Sequence, residues 1–376
     1  MTGRRTIEEF ASGFHDEPGY LDFARFGPPG AGVVSEQNAQ MEALTRARFG
    51  SLDVAFDQDA RVREAVAELL GFSAQQVSFQ PNTSIGLMHT MFGLTGVVAM
   101  SPAEFPSLPY AATRASAALG RLEVRWLETD YGRVTPGTVR EQLTDDVTAV
   151  AVSLVDFRTG YLADLEGIRQ VIGDRMLIVD AVQGFSVIDA NWSAADVIVS
   201  GGQKWVRAGH GTGFLALSER AAAALEPVFS GWMADDGEMP LDDVRDSVRN
   251  AGAFRVTHPD PRAQACFAAA LEDIADVGVA AIQGAVEDRV GQAIDLADEF
   301  AIPVVSPREV GERAGIVVLE PQPDHGTVLA ASLFNHGVTV TARSGTVRLS
   351  LHSCTGPETF QLLRGAFASY QSAISQ

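Results

Sequence analysis

From about residue 57 the chain alternates between two hydrophobic periodicities. Apolar positions spaced for one face of a helix run from Asp57 to Leu70, the short apolar run VSF at 77–79 follows, and a second helical stretch starts at Ser84. Further apolar runs, VVAM at 97–100, LEVRWL at 122–127, VTAVAVSLV at 147–155, MLIVD at 176–180, DVIVS at 196–200 and GFLALS at 213–218, read as strands with helical connections between several of them. Near-continuous apolar strands separated by helices predict an α/β fold with a mainly parallel sheet covered on both faces. Ligands of such sheets bind outside the carboxyl ends of the strands. After Pro261 the pattern changes to an Ala-rich helical stretch, strands near 303–305 and 315–320, a helix near 326–336, paired strands around 338–341 and 346–351, and a last helix from Pro357. This reading gives an N-terminal segment over 1–50 that packs with the small domain, a large domain over 51–260, and a smaller α+β domain over 261–376. The Asp- and Gly-rich loop from Gly231 to Asn250 is expected to be a mobile cover or an inter-domain connection.

Charge and composition narrow the functional classes. With 28 Lys+Arg against 48 Asp+Glu the net charge is -20, which repels a phosphate backbone, so nucleic acid is not an expected partner. No run approaches the length of a membrane span, the first residues carry no apolar signal segment, and two cysteines make no disulfide framework; the expected location is the cytoplasm. The seven histidines show no metal-ligand spacing, and no metal is expected. Among the 28 basic residues only one, Lys204, is a lysine. Guanidinium stays protonated and is not a nucleophile, whereas a desolvated ammonium loses its proton and forms an imine with an aldehyde. Lys204 is therefore a candidate Schiff-base residue.

Pyridoxal phosphate needs an imine-forming lysine, a carboxylate for the pyridine nitrogen, a donor near the phenolic oxygen, a side chain over the ring and a phosphate cup at a helix N-terminus. Each has a candidate at a strand end. Asp180 closes MLIVD and suits the pyridine nitrogen, Gln183 follows it by three residues as the donor, and Lys204 lies in GGQKW after DVIVS. The turn PNTSIG supplies Asn82, Thr83 and Ser84 for the phosphate, and Phe105 follows VVAM as the ring cover.

Taken together, NTSIG, EFPS, VDFRTGY, VDAVQG, SGGQKW and VRLSLH resemble the aminotransferase class V group of fold-type I pyridoxal-phosphate enzymes, which includes kynureninases, cysteine desulfurases and isopenicillin N epimerase-like proteins. The resemblance runs from Tyr20 to the C-terminal helix. It implies that Lys204 forms the internal aldimine, that Asp180 pairs with the pyridine nitrogen, that Gln183 meets the phenolic oxygen, and that Thr83 and Gln203 hold the phosphate. Arg348 in VRLS matches the family arginine that grips the substrate carboxylate. A homodimer is also implied, with Thr257 and His258 of FRVTHPD at the position of a segment that reaches the neighbouring subunit's phosphate.

Departures from the family pattern bear on the reaction. Phe105 stands where desulfurases stack a histidine, and EFPSLPY and DFRTGY are similar to kynureninase segments. ARSGTVRLS leaves no room for the desulfurase cysteine loop; Cys266 reads as a buried core residue, and Cys354 lies near the site but out of register. His210 reads as part of a glycine-flanked turn, while His352 and Arg25 are weaker candidates for approaching substrate. The expected activity is that of an aminotransferase or lyase acting on an α-amino acid or a derivative, with kynureninase-like hydrolysis or epimerisation as alternatives and cysteine desulfuration less favoured. A non-catalytic pyridoxal-phosphate-fold binding protein is the alternative of a different class. A nicotinamide-dependent enzyme would need a glycine-rich first turn that the chain lacks.

Overall fold

The computed structural model describes residues 5–46, 49–50, 53, 55, 57–235 and 241–375. Its large sheet has seven strands: β1 (Val77–Phe79), β2 (Gly96–Met100), β3 (Leu122–Trp126), β4 (Val147–Ser153), β5 (Met176–Asp180), β6 (Val197–Gly201) and β7 (Gly213–Leu217). Their spatial order is β1-β7-β6-β5-β4-β2-β3. All neighbours from β6 to β3 pair in parallel, and β7 runs antiparallel between β6 and β1. Successive residues of each central strand enter different cores: Val150, Val152, Leu177, Val179 and Ile198 belong to one apolar cluster, and Ala149, Ala151, Ile178, Val197 and Val199 to the other. A sheet buried on both faces has no polar side to alternate with, which is why its strands read as continuous apolar runs.

The register aligns the carboxyl ends: Ser153 lies opposite Asp180, and Asp180 opposite Val199. The strand order reverses between β2 and β4, so the segments leaving these strands diverge and open a crevice at that edge. Helix Thr83–Gly93 packs closely over β6, where a Cβ on Gly86 would come within 2.6 Å of Val199 Cγ1.

A second, antiparallel sheet holds β8 (Ile316–Leu319), β9 (Thr341–Arg343) and β10 (Thr346–Ser350) in the order β8-β10-β9. Three expectations shift here. The run 303–305 makes only an isolated bridge, Val304 to Leu319; the strand expected at 338–341 forms instead at Thr341–Arg343; and the Ala-rich stretch splits at Gly278, φ 86°, into helices Pro261–Val277 and Val279–Glu299. The N-terminal segment links both sheets. Leu21 donates to Thr339 O at 2.9 Å and accepts from Ser350 N at 2.8 Å, and Gly27 N donates to Gln203 O at 2.9 Å. Within the 231–250 loop the described part holds one short 3-10 turn, Trp232–Ala234; residues 236–240 lie outside the described residues.

Candidate active site

Lys204 follows β6 by three residues and is 8% exposed; Asp180, the last residue of β5, is 2% exposed. Asp180 Oδ1 accepts from Val182 N at 3.1 Å, and Oδ2 has no hydrogen-bond partner. Burial pushes the Asp180 carboxyl up to about 6, opposed by the Val182 N–H and the Lys204 charge. Burial also pushes the Lys204 amine down to about 8; Asp180 opposes this shift, and the Arg348 charge adds to it. An amine so placed is partly neutral near neutral pH, the form in which it is a nucleophile and a base.

Around this pair the other candidates fall into three groups. Gln183 is fixed at both ends of its amide, Nε2 donating to Ala24 O at 3.0 Å and Oε1 accepting from Trp205 Nε1 at 2.8 Å, which leaves one amide N–H free to donate. Phe105 places its ring centroid 5.3 Å from Lys204 Nζ and meets the Phe157 ring edge-on at 5.2 Å. Thr83 Oγ1 and Gln203 Oε1 are both buried without partners, and both converge on Gly201, where an added Cβ would lie 2.8 Å and 2.4 Å from them. Asn82 is engaged as the helix cap, its side chain accepting from Ile85 N at 3.0 Å, while the exposed Ser84 Oγ lies 2.7 Å from Ser107 Oγ. Two helix N-termini, at Thr83 and Ser107, thus meet at one spot, which favours an anion there.

Arg348 lies on β10 at the far side of Phe157, donating to Phe157 O at 3.2 Å, to Thr341 Oγ1 at 3.3 Å and to Asp22 Oδ1 at 3.4 Å. Asp156 holds the Phe157 loop rigid, because its Oδ1 accepts from Arg158 N, Thr159 N and Thr159 Oγ1 at 2.7–2.9 Å. Beyond Phe157 and Arg348 opens a cavity of about 290 Å³, whose walls include Tyr131, Arg158, Glu320 and Arg343.

Four neighbours escape a reading of the sequence. Glu104, 6% exposed, accepts from both Ser153 N and Ser153 Oγ, and burial pushes its carboxyl up to about 8. Asp22, Asp156 and Trp205 fix Arg348, the Phe157 loop and Gln183. The motif EFPS draws the eye to Phe105 only, and no spacing ties Asp22 to a residue 326 positions away.

The weaker candidates are placed elsewhere. His352 is 1% exposed, packs against Phe23 and Trp205, and is held well below the usual histidine range by burial. Cys354 Sγ lies 2.9 Å from Arg207 Nη1 and 3.2 Å from Asp16 Oδ2, and burial pushes its thiol up to about 12. Cys266 is buried in helix Pro261–Val277. His210 stacks on Phe26 at 5.2 Å, Arg25 is exposed, and Thr257 and His258 line a separate cavity of about 560 Å³.

Residues 33–373 match the family model for aminotransferase class-V. The chain belongs to the aminotransferase class V family. It is 27% identical over 292 residues to a kynureninase of Deinococcus radiodurans, covering 74% of this chain and 69% of that protein. It is also 24% identical over 327 residues to a probable cysteine desulfurase of Pyrococcus abyssi, covering 82% and 78%. Among solved structures, the apo cysteine desulfurase of Thermococcus onnurineus superposes with a TM-score of 0.84 at 21% identity, over 97% of this chain and 98% of that one. The cystine C-S lyase C-DES, in complex with cysteine persulfide, superposes at 0.82 with 17% identity, over 93% and 97%. This class V chain is therefore an enzyme of the fold-type I group, and its cofactor is pyridoxal phosphate. The residues at the strand ends fit that group: the orphaned Asp180 Oδ2 suits a protonated ring nitrogen, and the space above Gly201, with the unpartnered Thr83 hydroxyl as donor, the Gln203 amide able to turn its NH2 inward, and two helix N-termini beside them, suits a phosphate.

Proposed function

We propose that this class V enzyme acts on α-amino acids as an aminotransferase or a lyase, with Lys204 as the cofactor-binding and proton-moving residue. The observation that carries the reading is the burial of the chain's only lysine beside the unpartnered oxygen of Asp180, with Arg348 across Phe157. When bound, pyridoxal phosphate supplies an aldehyde for amines and a ring that withdraws electrons from the substrate Cα. Thr83, Ser84, Gln203 and the backbone N–H groups after Asn82 would hold its phosphate, Asp180 its ring nitrogen, Gln183 its phenolic oxygen and Phe105 its ring face. Arg348 binds the substrate carboxylate through its guanidinium, whose Nε lacks a partner in the fold. Its bonds to Phe157 O and Asp22 hold the guanidinium in place. Lys204, with its amine brought near neutrality by burial, takes the Cα proton and returns it.

Cysteine desulfuration is disfavoured because β9 and β10 are joined by only Ser344 and Gly345, and Cys354 is held as a thiol against Arg207 and Asp16. Kynureninase-like hydrolysis is the second reading, supported by the match to the Deinococcus kynureninase and by the Phe105–Phe157 pair. The proposed assembly is a homodimer and the proposed location the cytoplasm; among the described residues no helix is long and apolar enough to cross a membrane. Incubating the holoenzyme with an amino-acid panel, with and without a 2-oxo acid, tests the reading. Amino transfer to the oxo acid, or release of a side-chain fragment without it, supports it; no change in any amino acid with the cofactor loaded contradicts it.

A further inference from the structure

The cavity next to the proposed substrate site carries an unusual charge for this protein. In a chain of net charge -20, Arg158, Arg343 and Arg348 all line one space of about 290 Å³, with Glu320 as the carboxylate among the lining residues. The strand pairing explains how two of the three converge. Arg343 of β9 pairs with Thr346 of β10, and Arg348 pairs with Thr341, so alternate residues of both strands share a face. Val347 and Leu349, between and beyond them, turn into the core and are fully buried. The third arginine comes from the opposite wall, on the loop that Asp156 holds rigid, with its guanidinium 5.6 Å from the Phe157 ring centroid.

The three cations are not equally committed. Arg348 is tied to Asp22, Thr341 and Phe157 O, and its charge reaches the lysine across Phe157, which suits it to the α-carboxylate. Arg158 makes one ion-pair contact, long at 3.9 Å, to Asp156 and lies over the Phe157 ring, and Arg343 makes no ion pair among the described residues. Two guanidinium groups without a short ion pair, at the solvent-facing rim of one cavity, are poised for a planar anion, because each presents a fork of donors to a carboxylate. The aromatic walls, Tyr131 and Phe157, would cover the carbons between the two ends of a ligand.

We infer that the substrate is an α-amino acid whose side chain ends in an anionic group, held by Arg158 and Arg343 while Arg348 holds the α-carboxylate. The inference rests on the proposed α-amino-acid site and adds the substrate class. Arginine pairing at the distal end excludes no neutral amino acid sterically; it sets a preference, since the neutral isostere offers the two guanidinium groups only an uncharged acceptor.

The test is a titration of the holoenzyme, read by the cofactor absorbance, with isosteric pairs: L-glutamate against L-glutamine and L-aspartate against L-asparagine. In the parent protein at least one acidic member is expected to half-saturate the spectral change at about tenfold lower concentration than its amide. In the double variant Arg158→Gln/Arg343→Gln that ratio is expected to fall to within about threefold of one, and the single variants to fall between. Both side chains reach solvent, and the unliganded cofactor spectrum reports whether each variant keeps its site. Equal half-saturation by acid and amide in the parent, or a preference that survives in the double variant, overturns the substrate class and leaves the amino-acid site standing. No spectral response to any amino acid overturns both.

Discussion

Two buried carboxyls at the strand ends make the site sensitive to pH before any substrate arrives. Glu104 is bonded to Ser153, and Ser153 lies opposite Asp180 in the sheet register. Burial raises both acids, Glu104 to about 8 and Asp180 to about 6. An acid with a raised folded pKa binds more proton in the native state than in the unfolded chain. Its contribution to stability is therefore fullest below the unfolded value and is lost as pH rises through the folded one. The cofactor-free protein is expected to lose thermal stability between about pH 5 and 8. Glu104→Gln, which cannot ionise, is expected to flatten that decline; equal slopes of unfolding midpoint against pH in both proteins would show that Glu104 is charged in the fold. Arg348→Ala is expected to raise KM for carboxylate substrates by about 10- to 100-fold and much less for the corresponding simple amines, since amines never made the charge-assisted contact. Equal losses for both would make the arginine structural. Lys204 was legible in the sequence because it is singular, and Asp180 because it closes an apolar run. Glu104 was not, because its meaning depends on burial against a serine 49 positions away.

At the level of elements, strand ends place the chemistry, and short connections limit it. Gly201 closes β6 where Thr83 and Gln203 converge, and a Cβ there would meet the Gln203 amide and the Thr83 hydroxyl but no backbone atom among its nearest neighbours. Gly201→Ala is therefore expected to fold, yet to weaken cofactor binding by about tenfold or more by filling the phosphate space. Unchanged affinity, measured by equilibrium dialysis of the cofactor, would place the phosphate elsewhere. The two-residue link between β9 and β10 carries no cysteine, so Cys266→Ser and Cys354→Ser are expected to retain most turnover, and L-cysteine to leave no persulfide on the protein. A persulfide on Cys354, detected by mass, would revive desulfuration. The elements of the large sheet could be read from the sequence because strands buried on both faces are unbroken apolar runs. The small sheet was less legible. The 303–305 run is apolar enough for a strand but pairs at a single bridge, and β9, with its Thr and Arg side chains facing the cavity, has no apolar signature at all.

For the molecule as a whole, the site depends on contacts far apart in the chain. Arg348 reaches Asp22 across 326 positions, Arg207 holds Asp16 across 191, and the N-terminal segment touches both the small sheet and the lysine loop. Periodicity carries no information about such pairings, nor about the insertion of β7 between β1 and β6. The sequence therefore shows which residues stand at strand ends and not how the termini close over them. The proposed homodimer belongs to this scale. A two-fold pair is the commonest closed assembly, and exposed apolar side chains such as Phe49, Leu241 and Val244 are available for contact against the repulsion of a -20 charge. Sedimentation of the active holoenzyme at micromolar concentration is expected to give the mass of two chains; a fully active species at 40.0 kDa would contradict it.

The central claim, that Lys204 joins this protein to its cofactor, is tested most directly by reducing the holoenzyme with borohydride and mapping the modified peptide by mass. The account predicts one phosphopyridoxyl group, on the peptide containing Lys204, and none in Lys204→Ala or Lys204→Arg, since the chain has no other lysine to replace it. A covalent adduct that persists in either variant, or a holoenzyme that yields none, would contradict it.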